Sequence, residues 1–235
     1  MPASLAEVRA VGFDLDGTLI DTLPDLASAL NGMLARLHHA QLSEEKIRML
    51  VGDGAESLVE RALAAGRRPQ TPDPSVREAL TLFKGIYAGR MFSRSRLYPG
   101  VIPTLQALVG AGLSLCCITN KDETLAQPLM REAGLEGYFA FTIGTRTRED
   151  RKPDPAMLLR ACARLGIEPP EMLYVGDSTV DMEAARAAGC RAVAVSYGYD
   201  GRIRAGGGEP EALLAGFADI AGLGELLAPA RSGRS

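Results

Sequence analysis

Hydrophobic residues follow two kinds of pattern along this chain. Five short apolar runs have the length and composition of buried strands. They are "VRAVGFDL", "LSLCCIT" from Leu113, "FAFTIG" around Ile143, "MLYVG" from Met172 and "RAVAVSY" from Arg191. Between the later runs, apolar residues recur at helical spacing over residues 124–133, 155–165 and 179–188. The alternation predicts an α/β fold, a doubly wound parallel sheet with helices on both faces.

A long helical segment interrupts this alternation between the first and second apolar runs. Within it, leucines and other apolar residues keep helical spacing around residues 23–37, 58–63 and 76–87. The bounding sequences "LIDTLPD" and "MFSRSRLYPG" are typical of connections. We therefore predict an all-helical cap inserted after the first strand.

These patterns set the expected domain boundaries. We expect the α/β core at residues 1–21 and 95–228, with the cap at residues 22–94 between them. The "AGGGEP" stretch near Gly206 is expected to form a loop, and the polar residues 229–235 a disordered tail.

Composition narrows the range of functions. The chain has 235 residues, of which 46% are hydrophobic, and a formal net charge of −3. This charge favours neither nucleic acid nor an anionic membrane as a partner. The N-terminal residues have no long apolar run after a basic segment, and no later window has about 18 consecutive apolar residues. We expect a cytoplasmic protein, a monomer or small homo-oligomer, that acts on a small molecule.

The cysteines and histidines exclude several common catalytic arrangements. Cys116, Cys117, Cys162 and Cys190 match no zinc-binding spacing, and are expected to be small core residues. The two histidines are adjacent, at positions 38 and 39, in a helical stretch without a nucleophile motif. A mechanism of the Ser-His-Asp or Cys-His type is therefore not expected.

Two carboxylates stand where the first apolar run ends. Asp14 and Asp16 are two positions apart in "VGFDLDGTLIDT", and in an extended chain they would point to the same side. At a separation of about 5 to 6 Å and an effective dielectric constant of 20, they would repel by roughly 3 kcal/mol. A bound cation or a shared proton would relieve this repulsion.

Polar residues also follow the other predicted strands. In an open parallel sheet, residues just after each strand converge at one edge, where ligands bind. The residues in question are Asp14, Asp16, Thr18, Thr119, Asn120, Lys121, Lys152, Asp177 and Asp181. Taken singly, several have ordinary structural explanations as turn residues, helix caps or surface charges. Together they suit a hard divalent cation and a phosphate group.

The polar residues lie in four short sequence motifs, which are "DLDGTLID", "ITNK", "RKPDP" and "GDSTVD". These motifs and their order resemble those of the haloacid dehalogenase superfamily, and the resemblance covers nearly the whole chain. The resemblance implies a Rossmann-like core with a cap, and phosphate monoester hydrolysis through an aspartyl-phosphate. It implies that Asp14 is the nucleophile and Asp16 the general acid. It also implies a Mg²⁺ ion held by Asp14, by the backbone carbonyl of Asp16 and by Asp177.

The resemblance assigns further residues to the phosphate. Thr119 and Lys152 would hold the phosphoryl oxygens, with Thr18 and Asn120 as additional phosphate or substrate contacts. Asp181 has two possible roles, since it could reach the metal through water or orient Lys152. An acid at position 16 favours an oxygen leaving group over the dehalogenase and phosphonate-cleaving reactions of the superfamily.

Within the superfamily, the chain resembles the bacterial phosphoglycolate phosphatases in "GTLIDTLPDLASAL", "VGDGAESLVERAL", "YPGV", "ITNK" and "SYGYDG". This resemblance implies 2-phosphoglycolate as substrate. Gly52 and Gly54 precede a predicted helix, whose backbone N–H groups could bind the glycolate carboxylate, or the two glycines could simply form a turn. The sequence departs from this group at "GTRTRED" and at Asp154. A sugar phosphate, a nucleotide or pyrophosphate as substrate therefore stays open, as does, less favoured, a non-catalytic binding protein.

Overall fold

The computed structural model describes residues 8–69, 74–147, 150–204, 210–217 and 219–220. The predicted disordered tail and most of the predicted loop near Gly206 lie outside these residues.

Strands and helices alternate along the core, with a cluster of helices after the first strand. The strands are β1 (Ala10–Phe13), β2 (Ile20–Asp21), β3 (Arg96–Leu97), β4 (Ser114–Asp122), β5 (Phe141–Thr145), β6 (Met172–Gly176), β7 (Arg191–Val195) and β8 (Ala212–Leu214). The α-helices are α1 (Leu23–Arg36), α2 (Glu44–Arg48), α3 (Gly54–Gly66), α4 (Val76–Ala88), α5 (Val101–Gly110), α6 (Glu123–Glu132), α7 (Ala156–Leu165), α8 (Thr179–Ala188) and α9 (Gly201–Arg204). The five predicted strands and the three predicted core helices are all present, whereas β2, β3, β8 and α5 were not predicted.

Six strands form one parallel sheet in the order β5-β4-β1-β6-β7-β8. Successive side chains of a strand point to opposite faces, and this alternation builds two apolar layers. Leu115 and Cys117 of β4 pack with α5 and α6 on one face, while Cys116 and Ile118 pack with α7 and α8 on the other. The predicted doubly wound parallel sheet is confirmed.

Helices α1 to α4 pack around an apolar cluster of their own. Leu30, Met33 and Leu34 of α1 are fully buried there, together with Val59 of α3 and Phe83 of α4. Leu125 and Tyr199 of the sheet domain close one side of the cluster. This second apolar cluster supports the proposal of a separate cap, whose boundaries at residues 22–94 stay a prediction.

The two connections between the cap and the sheet domain run side by side. Ile20 and Asp21 pair in antiparallel fashion with Leu97 and Arg96 in a two-stranded sheet. Next to this pair, the buried carboxylate of Asp25 accepts hydrogen bonds from the backbone N–H groups of residues 94 and 95. The first turn of α1 is thereby fixed to the returning chain.

All four cysteines are buried and have free thiols, as predicted. Within the described parts of the chain, no helix combines the length and the apolar character that crossing a bilayer requires.

Candidate active site

The loop after β1 places Asp14 and Asp16 at the carboxyl edge of the sheet. Asp14 continues the sheet by donating its N–H to Val175 O at 2.9 Å, and its side chain is mostly buried. The carboxylate of Asp16 accepts a hydrogen bond from the Thr22 hydroxyl at 2.5 Å. It also lies 3.1 and 3.2 Å from the ammonium group of Lys121. Asp16 thus contacts both the start of the cap and the end of β4.

Gly17 allows this loop to approach β6. Its φ angle is +89°, and a Cβ atom at this position would lie 2.5 Å from the Asp177 carboxylate. Any side chain here would therefore collide with a predicted metal ligand and also strain the backbone. This explains physically why glycine follows the second aspartate in "DLDGT".

Lys152 lies at the centre of the site, although it follows a loop after β5. Its ammonium group lies 2.8 Å from Asp14 Oδ1 and 2.6 Å from Asp181 Oδ1. It also donates to Ile118 O at 3.1 Å and to the Tyr174 hydroxyl at 2.8 Å. Burial alone would lower the pKa of Lys152, but the charges of Asp14 and Asp181 raise it above its ordinary value. Lys152 is therefore a buried cation, held within contact distance of the predicted nucleophile.

Asp14, Asp177 and Asp181 form an acidic cluster in which one oxygen of each lies within 4.8 Å of the others. Burial raises the pKa of Asp14 to about 6, although Lys152 lowers it in part. Burial, followed by the charges of Asp181 and Asp14, raises the pKa of Asp177 well above its ordinary value. The protein alone thus disfavours the simultaneous ionisation of Asp14 and Asp177. A divalent cation would offset the repulsion, so the donor set fits Mg²⁺.

Asp177 and Asp181 differ in how their oxygens are used. Both oxygens of Asp181 have protein partners, because Oδ1 contacts Lys152 and Oδ2 accepts from the N–H and hydroxyl of Ser178, at 3.1 and 2.6 Å. These contacts correspond to the second of the two predicted roles of Asp181, in which it orients Lys152. Both oxygens of Asp177 also have partners, but uncharged ones, because Oδ2 accepts the N–H of Tyr199 at 2.6 Å and Oδ1 accepts the hydroxyl of Thr18 at 3.3 Å.

Thr18 lies beneath the site and does not line the cavity. Its side chain is fully buried, and its hydroxyl donates to Asp177 Oδ1 at 3.3 Å. Its backbone carbonyl accepts the Tyr197 hydroxyl at 2.8 Å. This position favours a role in holding Asp177, and the prediction that Thr18 contacts phosphate or substrate is not supported.

Thr119 and Asn120, at the end of β4, are used differently. Thr119 lines the cavity, and its hydroxyl accepts the N–H of Lys121 at 3.2 Å. The Asn120 amide donates to Lys152 O at 3.0 Å and to Gly52 O at 3.1 Å, and its Oδ1 accepts the N–H of Lys152 at 2.8 Å. Asn120 lines the same cavity, but the hydrogen bonds of its side chain join the cap loop at Gly52 to the backbone of Lys152.

The cap lies over the acidic cluster, and residues of the cap and the core together line a cavity there. Gly52 and Gly54 line this cavity at the start of α3, with φ angles of +129° and +81°. The side chain of Asp53, the N-cap residue of α3, makes no capping hydrogen bond to the backbone N–H groups of the first helical turn. The other cap residues that line the cavity are mostly apolar: Leu26, Val51, Ala55, Leu58, Phe83 and Tyr87. A substrate enclosed here would thus meet charge on the sheet side and mainly apolar surface on the cap side.

Arg151 adds a contact between cap and core that the sequence did not single out. Its guanidinium donates to Asp53 O and lies 3.5 Å from Glu56 in the first turn of α3. Its position next to Lys152 in "RKPDP" was the only signal in the sequence.

Lys121 and Tyr199 are two further residues whose roles the sequence did not reveal. Lys121 was noted after the second predicted strand without a role, yet its ammonium contacts Asp16. Burial alone would lower the pKa of Lys121, but the charge of Asp16 raises it above its ordinary value. The Tyr199 hydroxyl accepts the N–H groups of Thr22 and Leu23, at 2.7 and 3.0 Å. Tyr199 thus joins Asp177 to the cap connection.

Comparisons with known proteins agree with this geometry. The family model of haloacid dehalogenase-like hydrolases matches residues 11–195. A phosphoglycolate phosphatase of Chromobacterium violaceum is 43% identical over 83% of this chain and 88% of that protein. One from Nitrosospira multiformis is 44% identical, over 82% of this chain and 85% of that protein. The crystal structure of a predicted phosphoglycolate phosphatase from Haemophilus somnus 129PT has a TM-score of 0.88 and 34% identity, covering 92% of this chain and 98% of that one.

Proposed function

The chain belongs to the haloacid dehalogenase-like hydrolase family, and we propose that it is a Mg²⁺-dependent phosphatase whose substrate is 2-phosphoglycolate. The observation that carries the proposal is the acidic cluster of Asp14, Asp177 and Asp181 around Lys152, beneath a cap whose residues in the cavity wall are largely apolar. The named relatives that share most of this chain support the choice of substrate.

In the proposed reaction, an oxygen of Asp14 attacks the phosphorus atom and the ester bond breaks. The proton of Asp16 passes to the departing glycolate oxygen, which leaves an aspartyl-phosphate on Asp14. A water molecule then attacks this phosphorus and gives its proton to Asp16. Phosphate leaves, and both carboxyl groups return to their starting states.

The surrounding residues would hold the phosphoryl group in line with Asp14. Lys152, at 2.8 Å from Asp14, and the hydroxyl of Thr119, which lines the same cavity, suit the phosphoryl oxygens. We propose that Asp14, Asp177 and the backbone carbonyl of Asp16 hold Mg²⁺. When bound, this ion neutralises charge on the phosphoryl oxygens.

The shape and chemistry of the cavity favour a small leaving group. The cap contributes Leu26, Val51, Leu58 and Phe83 to the lining, and such side chains offer no hydrogen bonds to the hydroxyl groups of a sugar. A hydroxylated leaving group would lose contacts with water there without replacing them. The backbone N–H groups at the start of α3 and the ammonium group of Lys121 would both suit the single carboxylate of glycolate.

The test is a comparison of kcat/KM for 2-phosphoglycolate, a hexose phosphate, a nucleoside monophosphate and pyrophosphate, with Mg²⁺ present. We expect 2-phosphoglycolate to be preferred by at least tenfold. Preference for one of the other three would reject the proposed substrate. Failure to hydrolyse any phosphate ester would reject the phosphatase activity itself.

A further inference from the structure

The hydroxyl group of Tyr87 has an unusual environment. Tyr87 is the last aromatic residue of α4; it is fully buried and lines the cavity above the acidic cluster. Among the described residues, no group makes a hydrogen bond of good geometry with its hydroxyl. The ammonium of Lys121 lies close enough to interact with the hydroxyl oxygen, but an ammonium can only donate, so the hydroxyl proton has no acceptor. Buried polar groups in folded proteins are almost always paired, so an unpaired one in a binding cavity points to a ligand that completes it.

The charge next to Tyr87 indicates the kind of ligand. The ammonium group of Lys121 lies 4.6 Å from the centre of the Tyr87 ring. The same ammonium lies 3.1 Å from Asp16, the residue that the proposed mechanism places beside the leaving oxygen. A group attached one or two atoms beyond that oxygen would therefore come near both Lys121 and Tyr87. A positive charge beside a free hydroxyl donor suits an anion.

The rest of the cap offers few other polar groups that could bind such a ligand. The cap side chains around Tyr87 in the cavity wall are apolar, among them Leu26, Leu58 and Phe83. The ring of Tyr87 stacks on Phe83 with a centroid distance of 5.9 Å, which fixes the position of its hydroxyl oxygen. A rigid donor in an apolar wall discriminates strongly, because a ligand without a matching acceptor leaves it unpaired.

We propose that Tyr87 is a specificity-determining residue, whose hydroxyl donates a hydrogen bond to the carboxylate of a short phosphorylated hydroxy acid, beside the charge of Lys121. The inference rests on the proposed function, because it assumes that the phosphoryl group is held at Asp14. It adds the group that distinguishes a carboxylate-bearing leaving group from a neutral one of the same length.

Tyr87→Phe is the variant that tests this inference. It keeps the ring and its stacking on Phe83 and removes only a hydroxyl that makes no hydrogen bond of good geometry in the described part of the chain, while Lys121 keeps its ion pair with Asp16. We therefore expect the free protein to keep its melting temperature. Lys121 is a poorer target, since its removal would also disturb Asp16. Tyr138→Phe is the matched control, because the Tyr138 hydroxyl accepts from Gln106 at the surface, at 3.3 Å.

The experiment compares kcat and KM for 2-phosphoglycolate, 2-phospholactate and ethyl phosphate, the last being an analogue of similar length whose leaving group carries no carboxylate. In Tyr87→Phe, we expect kcat/KM for the two carboxylated esters to fall by roughly ten- to a hundredfold, mainly through KM. Ethyl phosphate should change less than twofold, and Tyr138→Phe should match the wild type on all three.

The outcomes separate this inference from the proposed function. If wild type prefers 2-phosphoglycolate but Tyr87→Phe loses activity equally on all esters, or on none, the inference is rejected and the proposed substrate stands. If wild type prefers 2-phospholactate and only the carboxylated esters depend on Tyr87, the proposed substrate is rejected and the inference stands. If wild type gains nothing from a carboxylate, both are rejected.

Discussion

The ammonium group of Lys152 lies 2.6 Å from Oδ1 of Asp181, and the two side chains are only 2% and 1% exposed. At this burial an ion pair is not screened by solvent, so each partner strongly affects the position and charge of the other. The same ammonium contacts Asp14 at 2.8 Å. Asp181 and Asp14, the predicted nucleophile, therefore both hold the ammonium group of Lys152.

Replacing Asp181 should reduce turnover without removing the nucleophile. In Asp181→Asn, Lys152 keeps only Asp14 as a charged partner, and its ammonium would pair more closely with the carboxylate that must attack. We expect kcat to fall by roughly ten- to a hundredfold with KM changed less than threefold, as measured in steady-state assays. Glu183→Gln, an exposed position on the same helix, is the matched control. Retention of more than half the wild-type kcat would contradict this role for Asp181.

Replacing Asp14 should remove the reaction itself. The amide of Asp14→Asn cannot form the aspartyl-phosphate, so we expect kcat to fall by about a thousandfold or more. The fold should survive, because Lys152 keeps its contacts with Asp181, Tyr174 and Ile118 O. Asp154→Asn, at an exposed position before α7, should retain wild-type turnover. A circular dichroism melt checks folding, and an Asp14→Asn protein with a tenth of wild-type activity would rule out its role as nucleophile.

Much of the fold could be predicted because each strand carries its own signal. The runs around Cys116 and Val175 are apolar on both faces, which is the pattern of a strand covered by helices on both sides. β8 was missed, since Ala212–Leu214 is too short for a periodic pattern and lies at the sheet edge, after a glycine-rich stretch. The convergence of Asp14, Lys152 and Asp177 could be predicted, because the carboxyl ends of parallel strands meet at one edge.

The contacts between the cap and the core could not be predicted in the same way. Nothing in the spacing of "ITNK" indicates that Asn120 reaches Gly52 or that Lys121 reaches Asp16. Such contacts depend on how the cap is placed over the sheet, which is decided by tertiary packing across its two connections. For the same reason, the sequence pattern indicated only that Tyr87 occupies an apolar position of a helix. That its hydroxyl makes no hydrogen bond of good geometry within the described part of the chain can be seen only in the folded structure.

Metal removal should abolish activity. Three buried acids within 4.8 Å of one another repel, and the pKa of Asp177 lies well above its ordinary value in the protein alone. We expect EDTA to stop turnover, Mg²⁺ to restore it and Ca²⁺ to restore it poorly, because its longer bonds and looser coordination misplace the phosphoryl group. Thermal melts with and without Mg²⁺ provide a readout apart from activity, and should show stabilisation by the ion. Full turnover after complete metal removal would contradict the predicted site.

Loss of Asp25 should destabilise the protein at the cap connection. Its carboxylate is 1% exposed and accepts the N–H groups of Arg94 and Ser95, at 2.8 to 3.1 Å, and the Ser95 hydroxyl at 2.6 Å. Asp25→Ala leaves these buried donors unpaired, so we expect a loss of about 2 to 4 kcal/mol in the free energy of unfolding. For a chain of this length, the melting temperature should fall by roughly 5 to 15 °C.

The comparison variant for Asp25 is Asp25→Asn, which keeps one carbonyl acceptor and should lose less stability than the alanine. Chemical denaturation gives the two values. Equal stability of Asp25→Ala and wild type would show that residues 94 and 95 find other acceptors when the chain returns from the cap.

The start of α3 gives the last prediction, because Gly54 lies where the cap meets the core. A Cβ atom there would lie 3.1 Å from Asn120 O and 3.3 Å from the Arg151 guanidinium, and the φ angle is +81°. Gly54→Ala should thus push the cap loop off the sheet edge and strain the backbone. We expect kcat/KM to fall by roughly tenfold on 2-phosphoglycolate and ethyl phosphate alike, because poor closure admits water whatever the leaving group.

Two further glycine variants separate crowding from backbone strain. Gly52→Ala has a φ angle of +129° but no atom within 4 Å of the added Cβ, so it carries strain without crowding. Gly85→Ala, inside α4 with open space around it, carries neither and should match the wild type. If Gly52→Ala costs as much as Gly54→Ala, strain alone explains the loss and the contact with Asn120 is unimportant. If Gly54→Ala lowers kcat/KM only for 2-phosphoglycolate, the loop binds the carboxylate directly, because a fault in closure would reduce activity on both esters.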